Sequence, residues 1–222
     1  MKCACLLLSL VFAFRYAAAE GPLKHVDVFS SGTNGYFGYR IPAIETAPDG
    51  SLLAFAEGRK HSLADPGFGK QEIDLVMKRS TNGGLTWSAM QIIEAPGQFW
   101  SAANPTTLTD RQTGRVWLFY LRCKPGRSTE TARPGTDDNQ VLARWSTNNG
   151  ASWSGPIDLT TVSRDMADSK WKSSVIGPGG AIQDQKGRLL APVWKVLPMG
   201  NFVIYCYYLI DTFRSNEWRQ RL

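Results

Sequence analysis

The eight residues Ser80-Thr81-Asn82-Gly83-Gly84-Leu85-Thr86-Trp87 return as Ser146-Thr147-Asn148-Asn149-Gly150-Ala151-Ser152-Trp153. The two tryptophans lie 153 − 87 = 66 residues apart, and the next step, Trp153 to Trp218, is 218 − 153 = 65. A fixed period of this length means one supersecondary unit used repeatedly. Other features keep the phase. Each unit opens on a proline-bearing stretch: Arg40-Ile41-Pro42-Ala43, Ala103-Asn104-Pro105-Thr106 and Gly177-Pro178-Gly179-Gly180. A polar turn follows (48–50, 110–114, 184–187), then an apolar strand (52–56, 116–121, 189–194) and a third strand (73–77, 141–145, 202–210).

With the strand expected after each Ser/Asn/Gly motif, every unit holds four antiparallel strands, the make-up of a propeller blade. No window carries a long helical period. The fold class is therefore all-β, a β-propeller, with about three four-stranded blades near 36–95, 100–160 and 175–222. Proline in a first strand fits the innermost edge of a blade, which faces the channel and has no ladder partner there. In the motif, Asn closes a local turn, Gly takes positive φ and Trp packs between sheets, so the motif reads as structural. At the third motif position, residues 211–218 have lost the pattern, and the repeat is expected to break off near Ile210.

Lys2, an apolar run over 6–14 and Ala17-Ala18-Ala19 before Glu20 read as a secretory signal peptide over 1–19, leaving a domain over 20–222. The run is too short to span a bilayer. The expected destination is outside the cytoplasm: secreted, periplasmic or, in a eukaryote, lysosomal. Cys3 and Cys5 leave with the signal, and Cys123 and Cys206 read as buried free thiols. The formal charge of +6 falls to +4 without Lys2 and Arg15. That suits an acidic ligand, while no basic run is dense enough for nucleic acid. His25 and His61 are too few for a metal site. Gly177 to Gly180 lacks a phosphate-loop lysine and reads as a tight bend, so no cofactor is expected.

In an up-and-down blade successive turns alternate between the two ends. The approach to strand 1 and the loop between strands 2 and 3 then share one end, and the motif turns lie at the other. Arg40, Arg59 and the loop 60–71, which carries Asp65, are expected together at the channel mouth.

Tyr39-Arg40-Ile41-Pro42 resembles the Arg-Ile-Pro motif of sialidases, and the two turn motifs resemble their Asp-boxes, with Asn82 and Asn148 where Asp is usual. Glu57-Gly58-Arg59 with Asp65 six residues on resembles the family's arginine and catalytic aspartate. The likeness covers about 27–210. It implies a six-bladed propeller that releases terminal sialic acid from glycoproteins, gangliosides or oligosaccharides. By resemblance, Arg40 is the first of three arginines that bind the substrate carboxylate, a task suited to a planar guanidinium. Asp65 is the general acid, and Arg59 and Asn104 contact substrate. Asparagine at 104 keeps hydrogen bonding where some relatives carry a charged aspartate. The family uses a tyrosine nucleophile with a glutamate partner, and the resemblance places these and the other two arginines in later blades. Three blades alone imply weak catalysis and self-association through open blade edges. Arg59 could instead cap strand 2, and a non-enzymatic Asp-box propeller binding glycan or protein is the rival reading.

Overall fold

The computed structural model describes residues 25–198 and 201–209. The signal-peptide reading and the lost third motif lie outside them. The first unit holds β1 (Gly38–Thr46), β2 (Leu52–Arg59), β3 (Ile73–Ser80) and β4 (Gln91–Glu94), paired antiparallel in that order. The second holds β5 (Ser101–Asp110), β6 (Arg115–Cys123), β7 (Asn139–Ser146) and β8 (Ile157–Asp158), paired the same way. After the single turn α1 (Thr160–Ser163) come β9 (Ser173–Ile176), β10 (Gly179–Gly180), β11 (Ile182–Gln183), β12 (Leu189–Val196) and β13 (Phe202–Leu209). β12 pairs with β13 on one side and with both β9 and β11 on the other. These are three propeller blades. Short parallel pairings join neighbouring units: Ile73 with Ser101, and Gly179 and Gly180 of β10 with Thr106 and Thr107 of β5.

The third proline stretch departs from the repeat's proline-bearing strand and follows the tight bend read from its glycines. Gly177-Pro178-Gly179-Gly180 is a break inside the first strand, not the strand itself. Gly177 and Gly179 have φ of 62° and 106°, and the chain leaves β12 between β9 and β11 to meet β5. The other two units show a milder form of the same device. The β1–β2 register skips between Arg40 and Ala43, and the β5–β6 register skips between Ala103 and Thr106. The residue before proline has positive φ in all three: Ile41 at 53°, Asn104 at 55°, Gly177 at 62°. A bulge leaves one residue without a ladder partner, which is where a proline is tolerated. The free channel edge is thus only part of the reason proline is accepted. Ile41 is the costly member, because a β-branched residue at positive φ is strained by about 1–3 kcal/mol.

Strand alternation explains the core. In β6, Val116, Leu118 and Tyr120 face the first blade and join Leu53, Phe55, Leu75 and Met77. Trp117 and Phe119 face the third blade with Ile176, Leu189, Ala191 and Val193. A middle blade buries both faces, so its strand reads as an unbroken apolar run. The far face of the first blade is closed by Phe29, Tyr36 and Tyr39 over Ala56 and Val76.

Both turn motifs fold alike. Thr86 N–H donates to Asn82 Oδ1 at 3.0 Å, Asn82 Nδ2 donates to Thr86 Oγ1 at 2.9 Å, and Gly84 N–H donates to Ser80 Oγ at 2.9 Å. The second set is Ser152 N–H to Asn148 Oδ1 at 2.9 Å, Asn148 Nδ2 to Ser152 Oγ at 2.8 Å and Gly150 N–H to Ser146 Oγ at 2.9 Å. The asparagine spans four residues, a wider closure than a simple Asx-turn. Trp153 then meets Phe55 of the first blade edge-on at 5.7 Å, so the turn also ties two blades together.

Candidate functional site

A groove of about 330 Å³ opens at the end of the blades opposite the motif turns. Arg40, Arg59, Asp65 and Asn104, the four residues marked out in the sequence, all line it. Apolar lining comes from Phe68, Leu121, Val175, Trp194, Val196 and Phe202, alongside the polar Thr129 and Glu130.

The site grows out of β2. Alternate residues of this strand face the second blade: Leu53, Phe55, Glu57 and Arg59, all fully buried. The face is apolar deep in the barrel and ionic at the mouth. Gly58, between the two charged residues, lies on the opposite face directly under the Tyr36 ring; a β-carbon there would sit 2.7 Å from Tyr36 Cε1. The glycine lets Tyr36 close over the strand and donate to Asp74 Oδ2 at 2.8 Å, which together with burial pushes the Tyr36 phenol well above its ordinary range.

Arg59 is 1% exposed, and each nitrogen of its guanidinium has a partner. Nε and Nη2 donate to Glu57 Oε2 at 2.9 and 2.5 Å. Nη1 donates to the carbonyls of Leu63 and Ala64 at 2.5 and 2.7 Å and to Asp65 Oδ1 at 3.2 Å. In this arrangement Arg59 holds the loop that carries Asp65 from a buried position in the groove lining.

The rest of that loop is secured independently. Gln71 Nε2 donates to Ala64 O at 2.6 Å and Ser62 O at 2.9 Å. Gly67, at φ 74°, packs so closely on the backbone of Arg127 and Ser128 that no side chain fits. Phe68 N–H donates to Asp65 O at 3.2 Å, so Asp65 opens a tight turn while its carboxylate points outward. Arg40 Nη1 donates to Asp65 Oδ1 at 2.9 Å and to Leu63 O at 3.0 Å. Arg40 and Asp65 are 42% and 60% exposed, open to a ligand in the groove. Asn104 N–H, from the bulge of β5, donates to Glu57 Oε1 at 2.9 Å.

Burial pushes the Glu57 carboxyl up, and Arg59 and the Asn104 amide work against that by favouring its charged form. Among the described residues no His/Cys/Asp/Glu cluster could hold a metal, and no helix is long and apolar enough to cross a membrane. Phe99 and Trp100 are not in the groove lining. The Phe99 ring lies 6.2 Å from the His61 ring at a 55° tilt, and Arg122 lies 5.7 Å over Trp100. Cys123 is a buried free thiol. Sequence reasoning missed Glu57 as an anchor, and it missed Thr129, Glu130, Trp194 and Phe202 as groove lining. Glu57 carried one usable signal, its two-residue spacing from Arg59 on a strand.

Three blades, two closed Asn-box turns and an arginine–aspartate pair at the channel mouth define a propeller protein of the Asp-box class. The family description "BNR repeat-like domain" matches residues 50–221. A sialidase of Micromonospora viridifaciens is 32% identical over 207 residues, covering 87% of this chain and 30% of that protein. An exo-alpha-sialidase of Arthroderma benhamiae is 32% identical, covering 81% and 45%, and sialidase-3 of Rattus norvegicus is 30% identical, covering 77% and 40%. Among solved structures, the Hadza microbial sialidase Hz136 superposes with a TM-score of 0.74 at 24% identity over 82% of this chain and 37% of that one. The Trypanosoma rangeli sialidase in complex with sialic acid gives 0.70 at 23% identity over 88% and 34%. The chain belongs to the BNR-repeat family of sialidases, and it spans 30% to 45% of the length of these three curated relatives.

Proposed function

We propose that the protein is an exo-alpha-sialidase that releases terminal sialic acid from glycoproteins, glycolipids or oligosaccharides. The observation that carries this reading is the meeting of Arg40 and Asp65, from different elements, at one groove mouth with 2.9 Å between Nη1 and Oδ1. The substrate carboxylate competes with Asp65 for Arg40. When it takes the guanidinium, Asp65 is released from Arg40 while Arg59 Nη1 still holds its Oδ1 at 3.2 Å. As general acid, Asp65 gives its proton to the glycosidic oxygen as the C–O bond breaks and the alcohol departs. Asn104, and Arg59 through the loop it holds, complete this half of the site. Retention of configuration, with a tyrosine nucleophile and its glutamate supplied by further blades, follows the family pattern.

By the same reading residues 1–19 direct export and residues 20–222 form one propeller domain. That domain by itself hydrolyses weakly and self-associates through open blade edges.

The test is release of free sialic acid from sialyllactose by the full-length protein, with Asp65→Asn as control. Loss of a general acid lowers the rate by roughly 10²–10⁴-fold. No release by the native protein, with glycan binding retained, would establish a binding propeller instead.

A further inference from the structure

The described residues offer three features that the proposed chemistry does not use: the buried Arg164, the exposed strand β13, and the buried carboxylate of Glu57. Arg164 binds the carbonyls of Thr136, Asn139 and Lys172 and serves to join loops. Nothing shows what covers β13. Glu57 carries more.

We infer that Glu57 is a positioning residue that sets the aim of Asp65 and the placement of Asn104 together. The inference rests on the sialidase reading for its chemistry and on geometry alone for its structural part. Glu57 has no exposed surface and does not line the groove. One oxygen, Oε2, takes two hydrogen bonds from Arg59 at 2.9 and 2.5 Å, which fixes the plane of the guanidinium. That plane decides where Nη1 points, and Nη1 is the group that gathers Leu63 O, Ala64 O and Asp65 Oδ1. The other oxygen, Oε1, takes the Asn104 amide at 2.9 Å. That amide belongs to a residue at φ 55°, inside a bulge and on the neighbouring blade, so it has no ladder partner of its own. One carboxylate therefore fixes a loop of the first blade and a bulge of the second, and its two oxygens divide the work. A group this deep, bound this way, stays rigid while Arg40 changes partner on the exposed side.

The chemistry distinguishes positioning from plain scaffolding. If Glu57 aims the general acid, its loss hurts leaving groups that need a proton more than those that do not. The experiment compares wild type with Glu57→Gln, which keeps shape but loses the charge, in the full-length protein. Two sialosides are used, one with a nitrophenol leaving group and one with a sugar alcohol. The ratio of their kcat/KM values is independent of how much enzyme is folded. Glu57→Gln is expected to lower the rate on the sugar substrate at least about tenfold more than on the nitrophenyl one. Arg59→Lys, which keeps a cation but loses the fork, is expected to shift the ratio the same way. An equal loss on both substrates overturns the positioning role.

A second readout needs no activity. Amide exchange at Asn104 and the Arg59 Nε–H resonance report the two halves of the contact by NMR. Faster exchange at both in Glu57→Gln is expected, and unchanged protection at both overturns the inference. If neither sialoside is cleaved by wild type while the NMR change appears, the sialidase reading fails and the geometric role of Glu57 stands.

Discussion

Arg40 and Asp65 are twenty-five positions apart in the chain, yet Nη1 of one lies 2.9 Å from Oδ1 of the other, with both side chains open to the groove. An exposed pair of this kind contributes only about 0–1 kcal/mol to stability. Arg40→Ala and Asp65→Asn are therefore expected to unfold in urea within about 1 kcal/mol of wild type while losing sialoside turnover. A large drop in stability from either would show that the pair is structural.

Arg59 behaves in the opposite way. It and Glu57 form a fully buried pair, and removing one partner leaves a charge without compensation. Arg59→Met is expected to cost about 3–5 kcal/mol in equilibrium denaturation. A loss below about 1 kcal/mol would mean that water reaches Glu57 in solution.

The two asparagine-closed turns should behave as independent units. Asn82→Ala and Asn148→Ala each remove the acceptor of one backbone amide and the donor to one hydroxyl. Each is expected to cost about 1–3 kcal/mol, and the double variant should show the sum to within about 0.5 kcal/mol. The check is a double-mutant cycle in urea.

Asp138 gives the fold an acid-sensitive element. Arg133 donates to it through Nε and Nη2 at 2.8 and 2.9 Å, and this bonding holds its carboxyl down at about 2. A carboxyl depressed on folding stabilises above its unfolded value, near 4, and that stabilisation disappears as pH falls towards 2. Since Arg133 is itself largely exposed, the contribution is about 1–2 kcal/mol. Asp138→Asn should lose it at pH 7 and show a flatter stability profile between pH 5 and pH 2. A steep profile retained in the variant would assign the acid sensitivity elsewhere.

Cys123 is fully buried, and burial pushes its thiol far above the ordinary range. Iodoacetamide is expected to leave the peptide containing Cys123 unlabelled in the native protein and to label it in denaturant, as read by mass spectrometry. Labelling at native rates would reveal local opening of β6.

The repeat was legible because its signal is local. Asn82 and Asn148 close turns with residues only four positions away, so the motif survives in one dimension. Arg40 and Asp65 could be brought to one end by counting strand turns, which needs only the parity of the blade. The burial of Arg59 could not be read in this way. It follows from the loop folding back so that Leu63 and Ala64 present their carbonyls, and nothing in the composition of 60–71 announces that. Trp194 and Phe202 were read as blade strands, and their place in the groove wall depends on how the third blade packs against the second. The tight bend at Gly177 to Gly180 was legible in its glycines, but its place inside the first strand was not, because the repeat sets it beside the proline-bearing strands of the other two units.

The left-handed residue before each proline has a consequence of its own. Ile41, Asn104 and Gly177 occupy the same kink in three successive blades, and the groove is lined by Ile41, by Asn104 and by Pro178 beside Gly177. The kink is made by main-chain geometry and the ring that follows, and an isoleucine, an asparagine and a glycine all occupy it. In the third blade it is committed to glycine, because a β-carbon at Gly177 would collide with Thr106 Oγ1. In the first two blades it is an interchangeable socket at the rim: a single replacement at Ile41 or Asn104 changes what the groove offers and leaves the strand ladders on either side of the bulge as they were.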